Sequence, residues 1–210
     1  MLRGRTEVIV PNFFINSWWP GVLLWAVLYV LDYAMTIRCA RHYRDGACEK
    51  IAFEGSYEIT PLFQQDINRL RVVSPRFMAM LVLYGTLLAI VWALAVQSEP
   101  RLYIFFLGAL IGVQSAAHIR HLRNYVLFRR IVANDGIKGR IEYSRPLMLR
   151  LSAIELVAFG VMFGALAGLT MSWFLAGAAV SCLSLGWKHF TLARKQAATV
   201  QEKVNAVSAG

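Results

Sequence analysis

The sequence predicts an all-α polytopic membrane bundle of five transmembrane helices, and three observations carry that prediction. Hydrophobic residues fill 58% of the 210 positions and charged residues only 16%, against about 25% charged in an ordinary soluble domain. The mean hydropathy is +0.51. Apolar runs of about 20 residues, the length a helix needs to cross roughly 30 Å of hydrocarbon, recur along the chain. A water-soluble fold is thereby excluded. The segments between the runs are too short for a separate catalytic domain of about 100 residues, so any chemistry belongs in the membrane or at its surface.

The spans fall at residues 18–37, 77–97, 102–122, 147–169 and 171–189. Trp18, Trp19 and Pro20 open the first, and the Trp pair suits an aromatic belt at one interface, with Trp187 near the opposite one. Ser74-Pro75, Ser98-Glu99-Pro100 and Ser144-Arg145-Pro146 precede the next three. Each joins a hydroxyl cap to a proline whose missing N–H costs nothing in a first helical turn. The second span has only Tyr84, Thr86 and Trp92 as polar marks and is expected at the periphery, facing lipid. Gly108, Gly112 and Ala116 in the third span, and Gly160, Gly164 and Gly168 in the fourth, form small-residue faces on which helix backbones can approach. The fourth and fifth spans are joined by a few residues, which predicts an antiparallel hairpin with Gly177 and Ser181 facing the fourth-span glycines. A homodimer through Gly160, Gly164 and Gly168 is the other use of that row.

Orientation follows from basic residues. Seven Lys and Arg residues fall within 38–76 and seven within 119–146, whereas the connection after the second span carries only Arg101 and that after the fourth none. Basic loops stay in the cytoplasm, so the expected topology is N-out/C-in, with Arg3 and Arg5 on the translocated tail. The net charge of +10 then reflects cytoplasmic loops that meet anionic lipid headgroups, and nucleic acid is not an expected partner. Residues 1–196 form one integral membrane domain with cytoplasmic loops 38–76 and 123–146, followed by a flexible cytoplasmic tail, 197–210. No cleavable signal peptide is expected. Cys39, Cys48 and Cys182 lack metal-type or disulfide-type spacing and are expected as reduced thiols. Within 38–76, Leu62, Phe63, Ile67, Leu70 and Val73 form one helical stripe, with Gln64, Gln65, Asp66, Arg69 and Arg71 opposite. This predicts an interfacial cytoplasmic helix, or a short helix packed under the bundle.

Ionisable groups inside a span are costly and so mark candidate sites. Asp32 lies about five residues inside the cytoplasmic end of the first span, and Glu155 about as far inside the fourth. Residues 103–117 of the third span reach only about 22 Å, so that helix must continue past His118. An acid, an imidazole and a second acid are thus predicted in one layer. Gln114, His118, His121 and Tyr125 share a face of the third span, away from Gly108 and Gly112, while Trp25, Tyr29, Asp32 and Thr36 form a stripe on the first. Glu54 and Glu58, four apart, sit on one side if that stretch is helical. His118 and His121 with Glu54 and Glu58 have the ligand chemistry of zinc or iron; interfacial histidines bound to water, lipid phosphate or backbone are the alternative. Glu155 reads alternatively as an interfacial acid turned toward Arg150, and His189 as an ordinary interfacial residue.

Asp32-x-x-x-Thr36, a basic Gly-containing loop and Glu58-x-x-Pro61 together resemble the Asp-x-x-x-Thr and Glu-x-Asn-Pro pattern of small uncharacterised bacterial multi-pass membrane proteins, with Thr60 where that pattern has Asn. The resemblance covers about 30 residues. It implies a multi-pass protein of the bacterial inner (cytoplasmic) membrane and draws attention to Asp32, Thr36, Glu58 and Pro61. The residues suggest proton- or cation-linked transport of a small solute, with Asp32, Thr36, Gln114, His118, His121 and Glu155 as the site. The alternatives are a metal-dependent intramembrane enzyme acting on a lipid or isoprenoid, and a non-catalytic assembly subunit.

Overall fold

The computed structural model describes residues 12–55, 58, 61–133 and 138–208. A short helix α1 (Asn12–Asn16) precedes α2 (Trp19–His42), which passes through a π-helical turn, Tyr43–Ala47, into α3 (Cys48–Lys50) and strand β1 (Ile51–Phe53). There follow α4 (Pro61–Asn68), α5 (Pro75–Ala95), α6 (Pro100–Val132), strand β2 (Ile141–Tyr143), α7 (Arg145–Thr170) and α8 (Trp173–Ser208). The helical stretches beginning at Trp19, Pro75, Pro100 and Arg145 are long and apolar enough to cross a membrane.

The outer surface is oily. Leu169, Leu94 and Trp187 are each more than 70% exposed, and α5 buries only Phe77, Leu88 and Ala95 of its 21 residues. Contiguous apolar surface of this kind is unfavourable in water and suits a lipid neighbour. In keeping with its few polar marks, α5 lies at the periphery, held by Trp25, Tyr103 and Leu107 around Leu88 and by stacking of Phe77 on Tyr29 and Tyr33 at 5.0 and 4.4 Å.

The centre of the bundle is α6, with α2 along one face and α8 along another; α8 in turn lies antiparallel on α7. The glycine-lined face of α6 makes the closest approach. A Cβ added at Gly112 would stand 2.7 Å from Ala178 Cα, and one at Gly177 would stand 2.8 Å from the carbonyl carbon of Phe105. Ser181 Oγ donates across the same contact to the Ala109 carbonyl at 2.8 Å. The expectation for Gly177 and Ser181 is corrected here: they face α6, not the fourth-span glycines. At about 100° per residue they share a face of α8 with Phe174 and Ala178, while Ala179, Leu183 and Gly186 occupy the face toward α7. On α7, Gly160 alone of its row is tight, against Leu183; Gly164 has ordinary contact with Ala179 at 3.8 Å, and Gly168 faces open space.

At the other end of the hairpin from the α7–α8 turn, β1 and β2 pair in parallel, Ile51 opposite Ile141 and Phe53 opposite Tyr143. Phe53 stacks on Tyr143 at 5.6 Å, and Cys39, Ala47, Ile51, Phe128 and Ile131 form a small core beside the strands. Gly46, at φ +148°, lets the chain leave α2 through a backbone conformation that residues with a Cβ rarely adopt. This pairing puts both basic loops at one end of the bundle, where α2 and α6 end and α5 and α7 begin.

Differences from the sequence reading have local causes. Helix α6 runs to Val132 rather than 122 because Phe128 and Ile131 still find a core to pack in. Helix α8 continues to Ser208, so the backbone expected to be a flexible tail is helical over 197–208. Of the three serine caps only Ser74 acts as one, its Oγ accepting from Phe77 N at 3.3 Å. Helix α4 packs under the bundle through Phe63 and Ile67 against Tyr33, Ile37 and Phe77. Asp66, expected on the polar face, is buried, because Ser74 Oγ donates to it at 2.6 Å and Arg71 and Arg76 lie at 3.3 and 3.7 Å. Arg3, Arg5 and Thr60 lie outside the described residues.

Candidate functional site

The loop-side halves of α2 and α6 bring two polar stripes together. His121 Nε2 lies 3.1 Å from Thr36 Oγ1 and 3.2 Å from Asp32 Oδ1. Thr36 donates its hydroxyl proton one turn back to the Asp32 carbonyl at 2.9 Å, which leaves a lone pair toward His121. Nε2 is therefore the protonated ring nitrogen, its N–H aimed at Thr36, with the carboxylate at ion-pair distance and off the N–H axis. Cys39 Sγ donates to the His121 carbonyl at 3.4 Å, tying the same two helices one turn further on. The side chains of His121 and Asp32 are only 14% and 21% exposed.

The other ring nitrogen, Nδ1 of His121, is buried and has no hydrogen-bond partner among the described residues. The same holds for three further atoms on this face of α6, Tyr103 Oη, Gln114 Oε1 and His118 Nε2. His118 Nδ1 meets the Gln114 carbonyl at 2.7 Å, which makes Nδ1 the donor and leaves Nε2 with a free lone pair. Leaving such atoms unsatisfied is costly in a low-dielectric interior, so their alignment is a functional signal. Toward the loops, the His42 and Tyr125 rings meet edge to face at 5.3 Å. Away from them, Trp25, Tyr103 and Leu107, all buried, close the seam.

Glu155 does not belong to this site. Arg120 Nε donates to it at 2.7 Å and Arg123 Nη1 to its other oxygen, so its partner is the α6 arginine pair and not Arg150. The single layer of Asp32, His118 and Glu155 is thus corrected to two clusters separated by α6. Helical phase is the reason: Arg120 and Arg123 fall with Gly112 and Ala116 on the α8 side, roughly opposite His118 and His121. Beside Glu155, Ser152 and His189 Nδ1 are 2.9 Å apart, which gives His189 a defined partner in place of the interfacial role expected for it.

The loop acids have structural work. Ile51–Phe53 is a strand and Glu54 begins a bend, so Glu54 and Glu58 do not share a helical face. Glu54 Oε2 accepts from Arg145 N at 2.9 Å, a carboxylate at the positive end of α7. Glu58 offers its carbonyl to Gln64 Nε2 at 2.9 Å. Among the described residues no three His, Cys, Asp or Glu side chains gather as a metal-binding group, so the set His118, His121, Glu54 and Glu58 is not brought together. Cys39 and the Asp66–Ser74 pair were missed; the i, i+3 and i, i+7 offsets of Cys39 from Thr36 and Asp32 were the available signal for the first. Searches against protein-family models, curated proteins and solved structures find no match to this chain.

Proposed function

We propose that the chain is a five-span protein of the bacterial inner membrane, N-out and C-in, that binds a proton or small cation at Asp32–His121 and couples it to movement of a small solute. In this reading α8 is the fifth span, and the strand-paired basic loops lie in the cytoplasm against anionic headgroups. The carrying observation is that Nδ1 of His121 is buried and has no hydrogen-bond partner among the described residues, in a ring whose Nε2 already meets Thr36 with the Asp32 carboxylate 3.2 Å away. A proton added at Nδ1 turns a neutral ring beside a carboxylate into an ion pair. The site then differs by one unit of charge between its two states, and in a low-dielectric setting that difference is large enough to bias a conformational equilibrium.

Gln114 and His118 extend the same face deeper into the bundle, toward the buried Trp25, Tyr103 and Leu107, where the Tyr103 hydroxyl is a further buried polar atom without a hydrogen-bond partner among the described residues. In this reading the loop end is the side from which the site is reached, and alternating access would open it to the other. Few spans and no internal repeat favour a homodimer as the working unit, with the exposed Gly164 and Gly168 on α7 as the available small-residue surface.

The test uses the full chain in lipid nanodiscs, with ¹⁵N-labelled histidine followed by NMR between pH 5 and 9. The expected result is protonation of His121 at Nδ1 with Nε2–H retained, altered by Asp32→Asn. In proteoliposomes, pH-gradient-driven flux of Na⁺, small amines or small carboxylates should be lost in Asp32→Asn and His121→Gln. A His121 signal that ignores both pH and Asp32→Asn overturns the binding site, and flux unchanged in both variants overturns the transport reading.

A further inference from the structure

The α7–α8 hairpin carries a second feature on the opposite side of the molecule from α2. Val157 of α7 and Leu183, Ser184, Trp187 and Phe190 of α8 line a surface groove of about 670 Å³. Trp187 is 72% exposed at its rim. An open, mostly apolar trough on the outside of a membrane bundle has the polarity of an acyl chain's bed, and one hydroxyl, that of Ser184, lies within it.

The charges at its end define which lipid. The packing register between α7 and α8 is set by Ser152 with His189, by Gly160 beside Leu183 and by Gly186 beside Ala153. Carried toward the loop end, that register puts Arg150 opposite residue 191, so Arg194 sits within about 4.5 Å of the same level, inside the reach of two arginine side chains. Helical phase puts both on the groove side. Arg150 is two turns from Val157, and Arg194 is one turn from Phe190 and two from Trp187. Both arginines are exposed, and neither has a hydrogen bond or ion pair among the described residues, in contrast to Arg120 and Arg123 on Glu155. Two free guanidinium groups within reach of each other at the membrane surface make a fork for a phosphodiester.

We propose that this groove is a binding site for one anionic phospholipid of the loop-side leaflet, with its phosphate on Arg150 and Arg194 and an acyl chain along Val157, Leu183, Trp187 and Phe190. Trp187 sits where the chain leaves the headgroup region, the position an amphipathic ring favours. The site does not depend on Asp32–His121 and shares no residue with it, so either assignment can fail alone.

The experiment places the full chain in phosphatidylcholine vesicles containing a minor fraction of phosphatidylglycerol, with dibrominated acyl chains on one lipid or the other. Trp187 emission is taken as the difference between the native chain and Trp187→Phe. Brominated phosphatidylglycerol should quench Trp187 about tenfold more per mole fraction than brominated phosphatidylcholine, the preference that two arginines at a screened membrane surface provide. R150Q/R194Q should abolish the preference, each single substitution should reduce it severalfold, and R150K/R194K should keep most of it. Unchanged quenching of the other five tryptophans by brominated phosphatidylcholine reports an intact fold. Equal quenching by the two lipids, or a preference that survives R150Q/R194Q in an intact fold, overturns the site.

Discussion

Gly177→Ala is the sharpest test of the packing. The added methyl would stand 2.8 Å from the Phe105 carbonyl carbon and 3.0 Å from Ala109 N, with the Phe105 carbonyl oxygen closer still. Carbon contacts are comfortable only at about 3.5 to 4.0 Å, and every obstructing atom is backbone, so no side chain can rotate away. Helices α6 and α8 must then separate by about 1 Å. That movement stretches the Ser181 bond to the Ala109 carbonyl from 2.8 Å to about 3.5 Å or more, beyond useful hydrogen-bond range. Overpacking costs about 1–3 kcal/mol, and the Ser181 hydroxyl can turn to the Ala178 carbonyl of its own helix at 3.0 Å, so destabilisation by about 1–3 kcal/mol is expected. Gly168→Ala is the matched control, because nothing lies within 4 Å of its Cβ position. It should be neutral or stabilise by up to about 1 kcal/mol through helix propensity. The assay is reversible unfolding in mixed micelles by increasing sodium dodecyl sulfate, followed by near-ultraviolet circular dichroism. A Gly177→Ala variant within about 0.5 kcal/mol of the native chain, or a Gly168→Ala variant equally damaged, would refute the α6–α8 contact.

Two more outcomes test the rest of the frame. Ser74→Ala removes both the cap on Phe77 N and the donor to buried Asp66, and should cost about 2–3 kcal/mol in the same unfolding assay, with Ser74→Thr retaining much of it. In a background lacking Cys39, Cys48 and Cys182, cysteines at Arg69 and Arg140 should react with a membrane-impermeant maleimide from the same side, and cysteines at Gln97 and Met171 from the other. Labelling of Arg69 and Arg140 positions from opposite sides would break the strand-paired loop end.

Much of the architecture was readable because it rests on one-dimensional properties. Apolar run length marks a span, a proline after a polar residue marks where α5, α6 and α7 begin, and three- and four-residue spacing puts Asp32 with Thr36 and His118 with His121 on single faces. The pairing of Asp32 with an imidazole of α6 followed from depth and phase together. The boundaries of α6 and α8 were less legible, since Phe128 and Ile131 look like loop residues until the core beside Ile51 exists to receive them.

Partner choice was the part that sequence could not settle. Glu155 and Asp32 sit at similar depths, and only the placement of α8 between α6 and α7 turns Glu155 to the arginine side of α6 and leaves Asp32 with His121. Gly177 was expected against the fourth-span glycines until the rotation of α8 turned it to α6, and Asp66 was a surface acid until Ser74 folded back over it. Periodicity specifies which residues share a face of one helix. Which face meets which is decided by close packing and by hydrogen bonds between distant segments, because those energies depend on all helices at once.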